Sequence, residues 1–185
     1  MTESKSLKKI LLMGLDNSGK TSILLSLKED TNLLSFLSLK PTKGLKIESL
    51  DTNQYDLNIW DFGGQEQYRE DYLVNFYKYT ELLNKIIYVI DVQDIERYDL
   101  ALEYLQNIIT LLARDRIIVD ITVFLHKYDP NLTKNPKFEN ISNIVNEKLV
   151  NRISEMIPLE YNFEIFQTTI YTVFEQNLIK KRGNQ

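Results

Sequence analysis

Ile10-Leu11-Leu12-Met13-Gly14-Leu15-Asp16-Asn17-Ser18-Gly19-Lys20-Thr21-Ser22 is the stretch that decides the fold. Four apolar residues in a row read as a buried strand. The loop Gly14–Thr21 has the form G-x-x-x-x-G-K-[ST], and residues 20–29 read as a helix directly after it. That order of strand, glycine-bounded loop and helix has a physical purpose. The glycines let the backbone wrap closely around phosphates, and successive N–H groups and the helix start point at negative charge. Lys20 reaches the β- and γ-phosphates as a mobile point charge, and the Thr21 hydroxyl is a Mg²⁺ ligand. Gly14, Asp16, Asn17, Ser18, Gly19, Lys20, Thr21 and Ser22 are therefore the expected nucleotide contacts of this loop. The plain alternative is a chance glycine turn with a surface lysine, and the placement between a strand and a helix speaks against it.

Outward from this loop, short apolar runs alternate with amphipathic stretches. Residues 45–50 and 55–61 flank the polar turn Asp51-Thr52-Asn53-Gln54 and read as a hairpin, which predicts one antiparallel edge strand. Ile86–Ile90, Ile117–Leu125 and residues 163–167 read as further strands. Tyr98, Ala101, Leu102, Leu105, Ile108, Ile109 and Leu112 recur at three and four, the period of a helix with one buried face. Ile141, Ile144, Val145, Leu149, Ile153, Met156 and Ile157 mark a second such helix, and residues 170–181 a last one. The pattern predicts an α/β three-layer sandwich of the P-loop NTPase kind: a mostly parallel six-stranded sheet with one antiparallel edge strand and helices on both faces. The chain reads as a single domain over 1–185, without repeat or linker.

Ligands of such sheets bind beyond the carboxyl ends of the strands, and the remaining chemistry sits there. Trp60-Asp61-Phe62-Gly63-Gly64-Gln65 closes a strand. An aspartate there holds Mg²⁺ directly or through water. Gly64, lacking a side chain, brings its N–H to a γ-phosphate, and the neutral amide of Gln65 orients an attacking water. Thr42, in Lys40-Pro41-Thr42-Lys43-Gly44, is placed to offer its hydroxyl to Mg²⁺ and its N–H to the γ-phosphate. Thr21, Thr42 and Asp61 are thus the expected metal set, and Gln65, Lys20 and Thr42 the catalytic one. Loss of the γ-phosphate would release both flanking segments. After the strand ending at Leu125 comes His126-Lys127-Tyr128-Asp129. The Asp129 carboxylate accepts two hydrogen bonds from guanine N1–H and N2–H₂, which adenine does not offer at those positions. The Lys127 stem lies along the base plane. Thr168-Thr169-Ile170 supplies a backbone N–H to guanine O6, and Thr169 and Ile170 join the nucleotide contacts. His126, the lone histidine, reads as a buried hydrogen-bonding residue near the base rather than as a general base or metal ligand.

These motifs together resemble the small GTPase family. GLDNSGKT, PTKG and WDFGGQ are similar to the Arf and Arf-like branch. HKYD, with His126 where most small GTPases carry asparagine, resembles the Rag branch, as do Ile10–Gly14, Leu57–Gln65, Ile86–Val92 and Phe166–Ile170. The resemblance runs from about residue 8 to 181. It implies a molecular switch that binds GTP and GDP with Mg²⁺ and hydrolyses GTP slowly. It implies protein effectors, an exchange factor and a GTPase-activating protein that accelerates hydrolysis. No arginine stands between Ile10 and Arg69, and Arg69 reads as a solvated helix residue rather than a catalytic finger. A nucleotide-locked scaffold and a metabolic nucleotide kinase are the rival readings. The first rests on His126; the second lacks an arginine-rich lid.

Composition excludes other classes. With 185 residues, 43% hydrophobic and 26% charged, the chain is long enough for a sizeable core and balanced like a globular domain. A net charge of −4 gives no basic excess for nucleic acid. The absence of cysteine excludes thiol chemistry and suits a reducing, cytoplasmic setting. There is no membrane-spanning run, signal peptide, myristoylation glycine at Thr2 or prenylatable cysteine. Lys180-Lys181-Arg182 could make a weak peripheral contact with an anionic membrane, or simply offset the dipole of the last helix.

Overall fold

The computed structural model describes residues 5–28, 31–52 and 54–171. Strand β1 spans Ser6–Met13. Ser6 and Leu7 are exposed, Lys8 and Lys9 half-buried, and Leu11, Leu12 and Met13 almost completely buried. Alternate residues of a strand point to opposite faces, and β1 shows it. Leu11 and Met13 enter a large core on one side of the sheet, and Ile10 and Leu12 a smaller one on the other. Helix α1 (Lys20–Ser26) contributes Leu24 to the smaller core. It ends three residues before the predicted 29, with Leu27 as its C-cap and 57% exposed. A short helix α2 (Leu33–Leu37) follows, capped by Asn32, whose side chain accepts from the Ser35 N–H at 3.1 Å.

The hairpin is β2 (Leu45–Asp51) and β3 (Tyr55–Phe62), paired antiparallel from Leu45 opposite Phe62 to Asp51 opposite Asp56. Helix α3 (Glu66–Val74) then leads to β4 (Leu83–Asp91), and helix α4 (Tyr98–Arg114) to β5 (Asp120–His126). Tyr98, Ala101, Leu102, Leu105, Ile108, Ile109 and Leu112 of α4 are all buried, as their spacing predicts. Each such side chain taken from water contributes about 1.5–3 kcal/mol. Strand β5 begins three residues later than predicted. The Ile117 N–H still closes the end of α4 on the Leu112 carbonyl at 2.9 Å, and Ile118 is exposed.

The predicted helix over 141–157 is continuous but not uniform: α5 (Ile141–Val145), a π turn (Asn146–Val150) and α6 (Asn151–Met156). Its fully buried residues Ile141, Val145, Leu149, Ile153 and Ile157 stand four apart. A repeat of four drifts by about 40° per step on a 3.6-residue helix, and one wider turn takes up that drift. Strand β6 (Phe163–Gln167) has the predicted bounds. The predicted helix over 170–181 and the basic cluster 180–182 lie outside the described residues beyond Tyr171.

The sheet order is β2-β3-β1-β4-β5-β6, with β2 antiparallel at one edge and all other pairs parallel. The carboxyl ends of β1, β3, β4, β5 and β6 consequently open on one side. No described helix is long and apolar enough to cross a membrane.

Candidate nucleotide site

The loop after β1 borders a cavity of about 360 Å³. One wall is Asp16, Asn17 and Gly19 to Ser22; Leu39 to Thr42 and Phe62, Gly64 and Gln65 form the others. Lys20 is buried at 5% exposure, and its ammonium donates to the carbonyls of Gly14 at 3.1 Å and Leu15 at 2.6 Å. Burial lowers its pKa to about 8, against the opposing pull of Asp61 and Asp16. A buried ammonium facing carbonyls rather than a carboxylate is poised for an anion. Ser18 is also buried, behind the loop, with its hydroxyl 3.4 Å from Lys20 Nζ.

Thr21, Thr42 and Asp61 meet although 40 positions separate the first from the last. Thr21 Oγ1 donates to Asp61 Oδ2 at 2.7 Å, Thr42 Oγ1 lies 3.2 Å from the same oxygen, and the hydroxyls are 2.8 Å apart. Burial raises the Asp61 pKa, and the Thr21 hydrogen bond opposes it. Asp61 Oδ1 is buried with no hydrogen-bond partner. Two hydroxyls and one carboxylate, with an unused buried oxygen, form the hard-oxygen set that suits Mg²⁺, whose remaining ligands are waters and phosphate oxygens.

The segments carrying Thr42 and Gln65 also touch directly, since the Gly63 N–H donates to the Gly44 carbonyl at 2.8 Å. Gly64 packs on the phosphate loop. A Cβ there would stand 2.1 Å from the Asp16 nitrogen and 2.2 Å from the Leu15 carbonyl carbon, so only glycine fits. The Gly64 carbonyl accepts from the Asp16 N–H at 3.1 Å and from Arg69 Nε at 3.0 Å. Arg69, expected as a solvated residue, is half-buried instead, with its guanidinium 5.4 Å from the centre of the Tyr104 ring. Gln65 is the N-cap of α3, and its Oε1 is buried without a partner.

At the base end, Lys127 Nζ donates to the Asn17 carbonyl at 2.7 Å and pairs with Asp91 Oδ2 at 2.6 Å, tying the two loops together. Its backbone is left-handed, φ 62°, a strained state that persists where surrounding contacts hold it. Asp129 Oδ1 accepts from the Thr169 hydroxyl at 2.6 Å and Oδ2 from Gln93 Nε2 at 2.9 Å. His126 is buried, and its Nδ1 lies 2.9 Å from Thr168 Oγ1. Burial, and then the charge of Lys127, lower its pKa and keep the ring neutral. The ring packs under Gly19, where a Cβ would fall 2.4 Å from His126 Cδ2, and Gly19 has φ 96°. Lys127, Asp129, Thr169 and Ile170 do not line the 360 Å³ cavity; Lys127 joins it through Asn17. Asp91, Gln93, Arg97 and Thr168 complete the site without having been singled out as contacts. The signal for the first two was their place at and just past the end of β4.

The model of the ADP-ribosylation factor family matches residues 1–176. The chain is 40% identical over 102 residues to ADP-ribosylation factor-like protein 2 of Arabidopsis thaliana, covering 55% of this chain and 50% of that one. It is 38% identical over 122 residues to ADP-ribosylation factor-like protein 3 of Chlamydomonas reinhardtii, covering 65% and 63%. The matches thus span between about half and just under two-thirds of these relatives. A structure of the Arl6 (BBS3) small GTPase of Trypanosoma brucei with bound nucleotide analogue GppNp shares the fold. Its TM-score is 0.61 at 20% identity, over 89% of this chain and 87% of that one. With its phosphate loop, paired threonines and strand-end aspartate in the arrangement described, the chain belongs to the ADP-ribosylation factor family.

Proposed function

We propose that this chain is a guanine-nucleotide switch that binds GTP and GDP with Mg²⁺ and hydrolyses GTP slowly. One observation carries the reading: Thr21, Thr42 and Asp61 converge within 2.7–3.2 Å beside the buried Lys20 ammonium. That cluster links the phosphate loop to both neighbouring segments, so occupancy of one site is felt by all three. Mg²⁺, when bound, would neutralise phosphate charge. Thr21, Thr42 and Asp61 hold it, Lys20 grips the phosphates, and the Gly64 N–H senses the γ-phosphate. Gln65 orients water. Its unpartnered Oε1 has acceptor capacity for that water's proton. Release of the γ-phosphate frees Thr42 and Gly64, and the segments around them present different surfaces to effectors.

Guanine is chosen by Asp129. Each carboxylate oxygen has two acceptor sites, so the bonds from Thr169 and Gln93 orient the group and leave room for guanine N1–H and N2–H₂. Among the described residues, neither arginine near the cavity is free: Arg69 is bound to Gly64 and Arg97 to Asp16. An activating partner then supplies an arginine in trans, worth roughly 10³–10⁵ in rate for this reaction class. An exchange factor and effectors complete the cycle, and a chain without cysteine suits the cytoplasm.

Equilibrium binding of fluorescent GDP with Mg²⁺, competed by GTP and ATP, tests the reading, together with single-turnover hydrolysis by Gln65→Leu. GTP should displace the probe at least about 100-fold more effectively than ATP, because adenine offers the Asp129 carboxylate neither of the two donors that guanine does. The variant should bind but not hydrolyse. Equal competition by ATP, or hydrolysis unaffected by the substitution, would refute it.

A further inference from the structure

We infer that Arg97 is a positioning residue that allows the site to accept a triphosphate, by holding the carboxylate of Asp16 away from the phosphates. The inference rests on the nucleotide reading above. Its starting point is a conflict: the wall of a cavity built for anions carries an acid. Asp16 borders the phosphate cavity on one side and, on the other, a small cleft lined by Leu15, Asp94 and Arg97. A carboxylate turned into the first space would face the γ-phosphate across a short distance, where like charges repel strongly.

Arg97 decides which way the acid faces. Its Nη1 donates to Asp16 Oδ1 at 2.7 Å and its Nη2 to the Asp16 carbonyl at 3.3 Å. One guanidinium therefore grips both side chain and backbone of the same loop residue, the forked geometry that lysine lacks. The guanidinium is itself fixed, because Nε donates to Asp94 Oδ2 at 2.5 Å. The next residue, Tyr98, is buried and bonds the Val92 carbonyl at 2.6 Å. The anchor thus stands at the N-cap of α4, next to a buried residue, rather than on a loose surface chain.

The grip is directed at the γ-phosphate end. The Asp16 N–H donates to the carbonyl of Gly64, the residue next to Gln65. Lys20 feels both members of the pair, Asp16 raising its pKa and Arg97 lowering it. The side chains of Arg97 and Asp16 are 33% and 46% exposed, and ion pairs so exposed add little to stability. Loss of Arg97 should therefore be felt by the ligand more than by the fold. It should also be felt by the nucleotide with the extra phosphate more than by the one without.

The test is the affinity of the purified chain with Mg²⁺ for fluorescent GDP and for a fluorescent non-hydrolysable GTP analogue. Arg97→Ala should weaken the triphosphate about tenfold and the diphosphate less than about threefold, the scale of one added like-charge contact. Asp16→Asn introduced into Arg97→Ala should restore most of the triphosphate affinity, and Arg97→Lys should lie between. Equal weakening of both nucleotides, or no rescue, would mean that Arg97 merely braces the loop, and would overturn the inference. Should Arg97→Ala fail to fold, Asp16→Asn alone decides. It should raise the triphosphate-to-diphosphate affinity ratio, and a fall in that ratio would overturn the inference. A wild-type chain that binds neither probe would instead bring down the nucleotide reading itself, and this inference with it.

Discussion

The two ends of the nucleotide cleft are finished to different degrees. Around the phosphate loop, Asp61 Oδ1 and Gln65 Oε1 are buried without a hydrogen-bond partner, and the Lys20 ammonium has only neutral oxygens within bonding distance. At the base end each functional side chain is already engaged. Asp129 is held by Thr169 and Gln93, Lys127 by Asp91 and Asn17, and His126 by Thr168. A buried polar group left unpaired costs about 1–3 kcal/mol. The phosphate end is thus under a tension that a ligand relieves, whereas the base end is a rigid template. Binding strength should reside in the first and selectivity in the second.

The largest effect should come from emptying the phosphate end. Lys20→Ala should cut affinity for GDP and GTP alike by about 100-fold or more, the loss of charge-assisted bonds in a dry site, as read by fluorescent-nucleotide titration. Asp129→Asn should weaken guanine nucleotides by about 10–100-fold, from the loss of bonds to a charged acceptor. It should leave ATP no better bound, a change in preference visible in competition assays. A loss on Asp129→Asn as large as that on Lys20→Ala would break the division of labour between the two ends.

A pH series is gentler. Burial depresses the Lys20 pKa in the free chain to about 8, and bound phosphates favour its charged form. Binding therefore takes up a proton above that value. Affinity should be level below about pH 8 and fall as pH rises beyond it, by at most about tenfold per unit. Smallest of all, Thr168→Val removes the partner of His126 and should cost about 1 kcal/mol of stability in urea unfolding, with only a slight change in nucleotide affinity.

The same contrast explains what could be read in the sequence. The phosphate end was legible because its chemistry is contiguous: residues 14–22 and 60–65 are continuous motifs at strand ends, and the strands themselves followed from apolar runs. The base end is assembled from remote pieces. Gln93 reaches Asp129 across 36 positions, and Lys127 reaches Asn17 across 110, and no local pattern announces such pairs. Helix α3 was read only at Arg69, without bounds, because it buries only Tyr72 and so has no apolar period. The run Ile117-Ile118-Val119 looked like strand because β-branched residues favour it, but closing the end of α4 prevailed. Arg69 read as solvated because its partner at Gly64 is a backbone carbonyl, which no side-chain pattern reveals, and Tyr104 is remote in sequence.

The most direct test of a guanine-nucleotide cleft is to purify the chain gently, denature it and chromatograph the nucleotide it releases. GDP, alone or with GTP, is the predicted result, and a GDP excess would reflect hydrolysis. ADP or ATP would contradict the role of Asp129, and a chain that emerges empty and ignores added GTP with Mg²⁺ would contradict the switch altogether.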